Sequence, residues 1–567
     1  MRDIPTLGAP SPARALLTDY LAAGRHAAQV GDGADAKSLF ARAVALDPND
    51  ASLLNHVARH LADAGEWEVA CAYLESAIAL EPAQLEWHLN LSIHLLRAGE
   101  PRRAFTVLAA AENLGRRSPR YWSARANVML RLDAPLAANF CFDQAAGMAP
   151  DNRRYRHGLA RTALETGKPE AVCLYRELAA DLKDAEALLG LAQALDMSGD
   201  HDEAMHILER VVQKFPLCHD ALRLLADLKW SAGRADFLHH FADATKQSGC
   251  TFDVWKLWAR LAARSGQILE AARIANRGYS ANGAIDFLRL EADYLGEAGE
   301  VDRAARIFDC LEPDIELGDL PYIRHCFRSG AVERAEDRLG SLLARQPDNV
   351  EAWAMIDLAW RLSGDPRHGW LHGQPGLIGV FDNAVSNARL RETRCWLEAL
   401  HDRSRSPLGQ SLVGGTQTLG SLINRHEPIA AELKERCETA MLSYLSGLPA
   451  DDSHPLLRHR SRRFATTGSW SVRLSRGEHH ADHIHPNGMI SAVLYVTVPP
   501  EASDESRHLG WLRIGSPPSH LATGLQPIAT FAPAEGRLIL FPSTLYHGTM
   551  PFSSGTRTTV AFDIHLL

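Results

Sequence analysis

The sequence predicts a multidomain α + β protein, in which an all-α solenoid of paired helices precedes a smaller domain that is helical at first and then all-β. Three observations predict this fold class. A 34-residue period of apolar residues runs through most of the first 365 residues, glycine and proline gather at 364–382, and β-rich runs replace the helical pattern after residue 465. The length of 567 residues is enough for several domains of ordinary size.

The period is clearest in four successive copies, in which the same residue types return at intervals of 34. Two alanine positions flank a larger apolar position, and proline follows in three copies: Ala36, Ala70, Ala104 and Ala138; Phe40, Leu74, Leu108 and Phe142; Ala43, Ala77, Ala111 and Ala145; Pro48, Pro82 and Pro150. Alanine lets two antiparallel helices approach closely, the larger residue fills the gap, and proline ends the second helix. The pattern resembles the tetratricopeptide repeat. We count about ten repeats over residues 15–365, after an N-terminal tail of residues 1–14.

The resemblance implies that the solenoid presents a concave groove to a protein or peptide partner.

The formal net charge of −9 argues against a protein built to hold nucleic acid. The arginine-rich run at 458–463 has no interleaved aromatic residues, so we interpret it as a solvated loop rather than a nucleic-acid surface.

Cysteine usage bears on the compartment of the protein. The nine cysteines are odd in number, lie far apart and form no CxxC pair, which favours a reducing compartment. The N-terminus lacks the apolar core of a secretion signal, and no run approaches the roughly 20 apolar residues of a membrane helix. We therefore expect a cytoplasmic protein that does not associate with membranes. Because no cysteine follows Cys437, a metal site near the C-terminus must use nitrogen or oxygen ligands.

The second domain is expected to span residues 366–567. Helical patterns return at about 384–403 and 427–447, and the strands that follow are short and bounded by glycine, proline and serine. Strands of this kind predict a two-sheet barrel or jelly roll.

Histidines concentrate in this domain. Of the 26 in the chain, ten lie between His454 and the last residue. His483 and His485 lie two apart on an extended segment and so point the same way, and His547 follows at the end of another strand. Two close ligands and one distant histidine are typical of a facial iron(II) site with open coordination positions. Arg557, ten residues after His547, is expected deeper in the same barrel, where a guanidinium suits the far carboxylate of a dicarboxylate cosubstrate.

Six segments of the second domain carry a resemblance to the 2-oxoglutarate/iron(II) oxygenases, and in particular to bacterial oxygenases fused behind tetratricopeptide repeats: GGTQT at 414–418, GSWSVRL at 468–474, HIHPNG at 483–488, FPS at 541–543, YHGT at 546–549 and RTTVAFD at 557–563. The resemblance implies a double-stranded β-helix, which is a jelly roll. It also implies that His483 and His547 bind Fe(II) and that Arg557 binds the distal carboxylate of 2-oxoglutarate. The keto acid end of 2-oxoglutarate would chelate the iron and O2 would take the remaining position.

Three further residues are candidates for the cosubstrate pocket. Thr559 shares a strand face with Arg557, and Ser491 and Tyr495 share a face with each other.

The sequence departs from the commonest oxygenase motif, His-x-Asp, because His485 stands where an aspartate is usual. Three imidazoles from His483, His485 and His547 would then hold the iron, or His485 would stand off and leave a two-histidine centre. A third possibility is the pair His480 and Asp482, which is a literal His-x-Asp immediately upstream. We prefer the three histidines, because their distance to the following strand at 489–498 matches compact members of the family.

The predicted function is that of an Fe(II)/2-oxoglutarate-dependent dioxygenase, a hydroxylase whose protein or peptide substrate is recruited by the solenoid. Two alternatives remain open. The domain could oxidise a free small molecule while the repeats serve assembly, or the protein could be a scaffold whose barrel is not catalytic.

Overall fold

The first helices of the chain pair in the way that the 34-residue period predicts. A computed structural model describes residues 12–180, 184–311 and 319–566, so most of the predicted N-terminal tail lies outside the described residues. Contacts divide the chain into two compact units, Met1–Ala163 and Leu164–Leu567. The helices up to residue 165 are α1 Pro12–Gln29, α2 Gly33–Leu46, α3 Ala51–Asp63, α4 Trp67–Leu80, α5 Leu85–Arg97, α6 Pro101–Ala110, α7 Glu112–Gly115, α8 Pro119–Arg131, α9 Pro135–Met148 and α10 Arg153–Glu165.

The residues that define the period form the core of these helix pairs. All twelve alanine, phenylalanine and leucine positions of the four clear copies are buried. Gly24 explains one close approach, since a Cβ at this position would lie 2.8 Å from the Phe40 ring. A residue with positive φ closes each turn between paired helices, again at intervals of 34: Gly31, Gly65, Gly99, Asp133 and Gly167. The predicted repeat core is therefore confirmed.

Helical repeats continue into the second unit and then give way to a β-rich domain. The repeat helices are α11 Ala171–Leu178, α12 Ala185–Ser198, α13 His201–Lys214, α14 His219–Ser231, α15 His239–Ala244, α16 Phe252–Arg264, α17 Ile268–Asn282, α18 Asp286–Glu297, α19 Val301–Leu311, α20 Leu320–Arg328, α21 Val332–Arg345 and α22 Val350–Ser363. Three more helices follow, α23 Arg367–His372, α24 Asn387–His401 and α25 Pro428–Gly447. Among the described helices, none combines the length and apolar character needed to cross a bilayer.

Eleven described strands form three antiparallel sheets. They are β1 Gly379–Phe381, β2 Leu412–Val413, β3 Thr416–Gln417, β4 Phe464–Leu474, β5 His479–His480, β6 Ile490–Thr497, β7 Leu512–Ile514, β8 Ala529–Phe531, β9 Leu538–Pro542, β10 His547–Thr549 and β11 Arg557–Leu566. The largest sheet has the order β1-β9-β6-β11-β4-β3, and the smaller ones are β10-β7-β8 and β2-β5. The predicted fold class, a helical repeat solenoid followed by an antiparallel β domain, is confirmed.

The six-stranded sheet is buried on both faces. On one face Leu494 and Val560 pack with residues of α24 and α25, among them Leu397 and Met441. On the other face a second apolar cluster joins this sheet to the three-stranded sheet: Tyr495, Ile539 and Phe541 with Leu512, Ile514 and Leu545. Burial on both faces explains why β6 and β9 are apolar almost throughout instead of alternating.

Buried polar contacts join the repeats of the second unit to its β domain. Arg405, in the loop after α24, donates two hydrogen bonds to Asp196 on α12, at 2.9 and 2.7 Å. Asp227 on α14 accepts a hydrogen bond of 2.7 Å from the Leu408 amide. Arg361 on α22 donates to the Gly515 carbonyl at 2.6 Å. The change of sequence period near residue 365 is therefore not a gap in packing, and the predicted division at 365/366 stays a prediction.

Candidate active site

Three histidines from two neighbouring segments converge in the β domain. The backbones of His483 and His547 pair directly, since each amide donates to the other carbonyl at 2.9 Å. His485 lies two residues further along an extended segment, so its imidazole returns to the same side. His483 Nε2 and His485 Nε2 are 2.9 Å apart, and one ring nitrogen from each of the three lies within 4.8 Å of the others.

The hydrogen bonds of the other ring nitrogens fix the tautomers. The Nδ1 atoms of His483 and His547 lie 2.8 and 3.1 Å from the carbonyls of Ala481 and Leu545, and a carbonyl can only accept. Their Nδ1 atoms therefore carry the protons, and their Nε2 lone pairs are left for a metal.

Burial keeps the imidazoles of His483 and His547 neutral. Together with the neighbouring imidazoles, it lowers the pKa of His483 to about 3 and that of His547 well below the ordinary value. Neutral imidazole is the form that binds a metal. The unprotonated Nε2 atom of His483 lies 2.9 Å from Nε2 of His485. A donor set of facing imidazole nitrogens suits a divalent transition metal such as Fe(II).

Asp563 supports the third histidine and was not predicted from the sequence. Its Oδ1 accepts from His485 Nδ1 at 2.6 Å and from Ser491 Oγ at 3.0 Å. A carboxylate behind a metal-ligating histidine fixes the orientation of the ring and makes it a better ligand. Alternation along β11 could have found it, because Arg557, Thr559 and Asp563 lie at even spacing and line the same cavity.

The side chain of Arg557 is fully buried yet has donors to spare. Within the described ranges its Nε and Nη1 have no hydrogen-bond partner, and no carboxylate forms an ion pair with it. The Tyr495 ring lies beneath it, with the guanidinium carbon 5.1 Å from the ring centroid. A buried guanidinium with unpartnered N–H groups suits a carboxylate ligand, because such a ligand would satisfy both its charge and its donors.

A cavity of about 750 Å³ holds most of the predicted site residues together. Its lining includes the three histidines, Arg557 and two of the three further candidates for the cosubstrate pocket: His483, His485, His547, Arg557, Thr559 and Ser491. Tyr495, the remaining candidate, contacts the guanidinium of Arg557. Ser491 also reaches Ser543 at 2.9 Å, so its hydroxyl is part of the network that holds Asp563.

The upstream pair His480 and Asp482 is placed apart from the cluster that the three histidines form. Asp482 Oδ2 accepts hydrogen bonds of 3.0 Å from both Arg513 and Ser516. His480 lines the cavity, and the Ser411 hydroxyl lies 3.3 Å from its Nδ1. In the described part of the chain, the cluster of potential ligand atoms at this cavity contains His483, His485 and His547 and neither member of the pair.

Replacing Asp563 with asparagine is expected to weaken metal binding roughly 10- to 100-fold, because His485 loses the carboxylate that orients it. Titration with Co(II), followed by its visible absorption, measures this affinity. Asp402→Asn is the matched control, since Asp402 is exposed and pairs with Arg473 at the surface. Equal affinities of Asp563→Asn and the control would contradict a supporting role for Asp563.

The fold and the site define a class of protein, a helical repeat solenoid joined to an antiparallel β domain with a three-histidine site beside a buried arginine. Residues 468–563 match the family described as "Putative 2OG-Fe(II) oxygenase". Tetratricopeptide repeat families match residues 21–84, 61–128 and 185–228. The chain thus carries tetratricopeptide repeats toward its N-terminus and an oxygenase-family domain toward its C-terminus.

Solved structures similar to the chain are tetratricopeptide repeat proteins. One from Parabacteroides merdae ATCC 43184 is 18% identical with a TM-score of 0.34, over 41% of this chain and 93% of that one. YrrB, described as a TPR protein with an unusual peptide-binding site, is 19% identical with a TM-score of 0.28, over 30% and 91%. A thermophilic TPR protein of Thermus thermophilus is 24% identical with a TM-score of 0.25, over 32% and 98%. No curated protein matches the sequence.

Proposed function

We propose that the protein is an Fe(II)- and 2-oxoglutarate-dependent dioxygenase that hydroxylates a protein or peptide recruited by its repeats. The observation that carries the proposal is the presence, in one cavity, of three convergent imidazoles and a buried arginine whose Nε and Nη1 have no hydrogen-bond partner among the described residues. The match of residues 468–563 to an oxygenase family supports the same chemistry.

Each residue has a definite role in this proposal. His483, His485 and His547 hold the iron through Nε2, and Arg557 binds the distal carboxylate of 2-oxoglutarate. Thr559 and Ser491 line the cosubstrate pocket, and Tyr495 supports the guanidinium from below. The bound iron and 2-oxoglutarate, together with O2, supply the oxidising chemistry. The protein positions these groups and keeps the imidazoles of His483 and His547 neutral.

The nature of the substrate is inferred from the repeats and the cavity. Tetratricopeptide repeats of this kind bind proteins and peptides, and a cavity of about 750 Å³ leaves room for a substrate side chain beside the cosubstrate. The cytoplasm is the proposed location, since all nine cysteines are unpaired.

The proposal is tested by succinate formation in the presence of Fe(II), ascorbate and 2-oxoglutarate, with and without candidate peptides and candidate small molecules. Iron-dependent succinate is expected from the wild-type protein. Its absence with every candidate would favour a scaffold with a non-catalytic barrel. Stimulation by small molecules but by no peptide would favour the alternative in which the repeats serve assembly.

Replacing Arg557 with alanine is expected to weaken 2-oxoglutarate binding by more than tenfold while the iron content stays near that of the wild type, because a buried charge loses its partner. Calorimetric titration of 2-oxoglutarate and elemental analysis of the same samples check both halves. Arg473→Ala is the control, since Arg473 pairs with Asp402 at the surface. Loss of iron in Arg557→Ala would mean that the arginine supports the fold of the site instead.

A further inference from the structure

One wall of the active-site cavity is built by the repeats. Ala263, Arg264 and Gly266, at the end of α16 and in the turn that follows, line the cavity together with the three histidines. Glu297, the last residue of α18, lines it as well. These residues belong to the same compact unit as the β domain. The solenoid therefore contributes side chains to the place where a substrate would lie.

Four of the residues that line the cavity are acidic residues or arginines. Three of them have a hydrogen-bond partner or a role in the proposed function. Arg264 donates to the carbonyl of Gly409. Gly409 has a φ of +81°, and a Cβ at this position would lie 2.9 Å from the arginine side chain. Asp563 accepts from His485 and Ser491. Arg557 is the cosubstrate ligand of the proposed function. Glu297 is the remaining charge.

Glu297 has arginines nearby but pairs with none of them among the described residues. Among the described residues, no hydrogen bond or ion pair within 4 Å involves its carboxylate. Of the three neighbouring arginines, Arg324 and Arg328 pair with Asp293, at 2.5 and 2.7 Å, and Arg264 donates to the Gly409 carbonyl. Burial, helped by Asp293, raises the pKa of Glu297. A half-buried carboxylate at a cavity wall is stabilised by a cationic ligand that donates hydrogen bonds to it.

We propose that Glu297 is a specificity-determining residue that binds a basic side chain, lysine or arginine, of a peptide substrate. The inference rests on the proposed function and deepens it, since it gives the chemical class of the substrate. In this arrangement the repeats both recruit the peptide and select which residue enters the cavity. The basic side chain lies against α18, and the peptide runs from there toward the histidines.

Binding of short peptides tests the role of Glu297 without turnover. The probes are blocked pentapeptides with glycine at four positions and lysine, leucine or glutamate at the centre, titrated into the full-length protein and followed by saturation-transfer difference NMR. We expect the wild type to bind the lysine peptide roughly tenfold more tightly than the leucine peptide, as one partly buried charge-assisted pair would give. Glu297→Gln should lose this preference, and Glu297→Lys should favour the glutamate peptide.

Glu300→Gln is the matched control, because Glu300 lies three residues away and is exposed, with Arg303 as its surface partner. It should retain the preference for lysine and form succinate at the wild-type rate. Equal binding of the three peptides by the wild type, or an unchanged preference in both Glu297 variants, would overturn the proposal. Because the peptides are titrated without turnover, failure of the wild type to form succinate counts against the proposed function alone.

Discussion

Replacing Arg405 with alanine is expected to lower the free energy of unfolding of the unit Leu164–Leu567 by about 3–5 kcal/mol. The guanidinium donates to both oxygens of Asp196 and lies 3.6 Å from Asp227, and all three side chains are buried. Its removal takes the shared guanidinium from two interior carboxylates, which keep His201 at 3.0 Å from Asp196 and Arg223 at 3.6 Å from Asp227. An unpaired buried charge costs far more than the net worth of the pair.

The pKa values of the two carboxylates show how much depends on this arginine. Burial alone would raise the pKa of Asp196, yet hydrogen bonds from Arg405 and His201 bring it below its ordinary value. Burial raises the pKa of Asp227 even with Arg405 nearby. Without the arginine, protonation of both carboxyl groups is expected to become easier. The loss of stability in Arg405→Ala should therefore be smaller at pH 4 than at pH 7.

Urea denaturation followed by tryptophan fluorescence measures the change. Arg403→Ala is the control, because Arg403 lies two residues away and is exposed, and surface substitutions of this kind stay within roughly 0.5 kcal/mol. The double variant Arg405→Met with Asp196→Asn should recover part of the loss, since it removes charge from both sides. A denaturation midpoint for Arg405→Ala equal to that of Arg403→Ala would show that the pair does not join the repeats to the β domain.

Local patterns predicted the repeats and the strands because they determine these elements directly. Alanine at intervals of 34 and the larger residue between them are buried wherever the register is clear, since each repeat packs on its neighbours. That the three histidines lie close together could be predicted for the same reason. His483 and His485 share a face by local geometry, and only the position of His547 opposite His483 depends on strand pairing.

Contacts between distant parts of the chain could not be predicted in this way. Arg405 and Asp196 are 209 residues apart, and neither lies in a motif. Glu297 is an ordinary end-of-helix glutamate in the sequence, and its place in the cavity follows from where the fold puts the end of α18. Asp563 is intermediate, because alternation along β11 puts it on the face of Arg557 but only the fold puts His485 in front of it.

Replacing His547 with alanine is expected to reduce the iron content from about one per chain to near zero and to abolish iron-dependent succinate formation. The substitution removes one of the three proposed ligands, so the loss of affinity should exceed the 10- to 100-fold that a supporting residue contributes. The backbone of His547 pairs with that of His483 through two hydrogen bonds of 2.9 Å, and alanine keeps both. The variant therefore removes the imidazole without displacing the segment that carries the other two histidines.

Two further variants decide between the candidate ligand sets. His565→Ala is the control, because His565 lies on β11 with an exposed side chain and should leave the iron content unchanged. Asp482→Asn should also retain iron, since Asp482 is held by Arg513 and Ser516 and lies outside the three-histidine cluster. Elemental analysis of the purified proteins measures each. If Asp482→Asn loses iron while His485→Ala keeps it, the upstream pair His480 and Asp482 supplies the ligands, and the three-histidine centre is wrong.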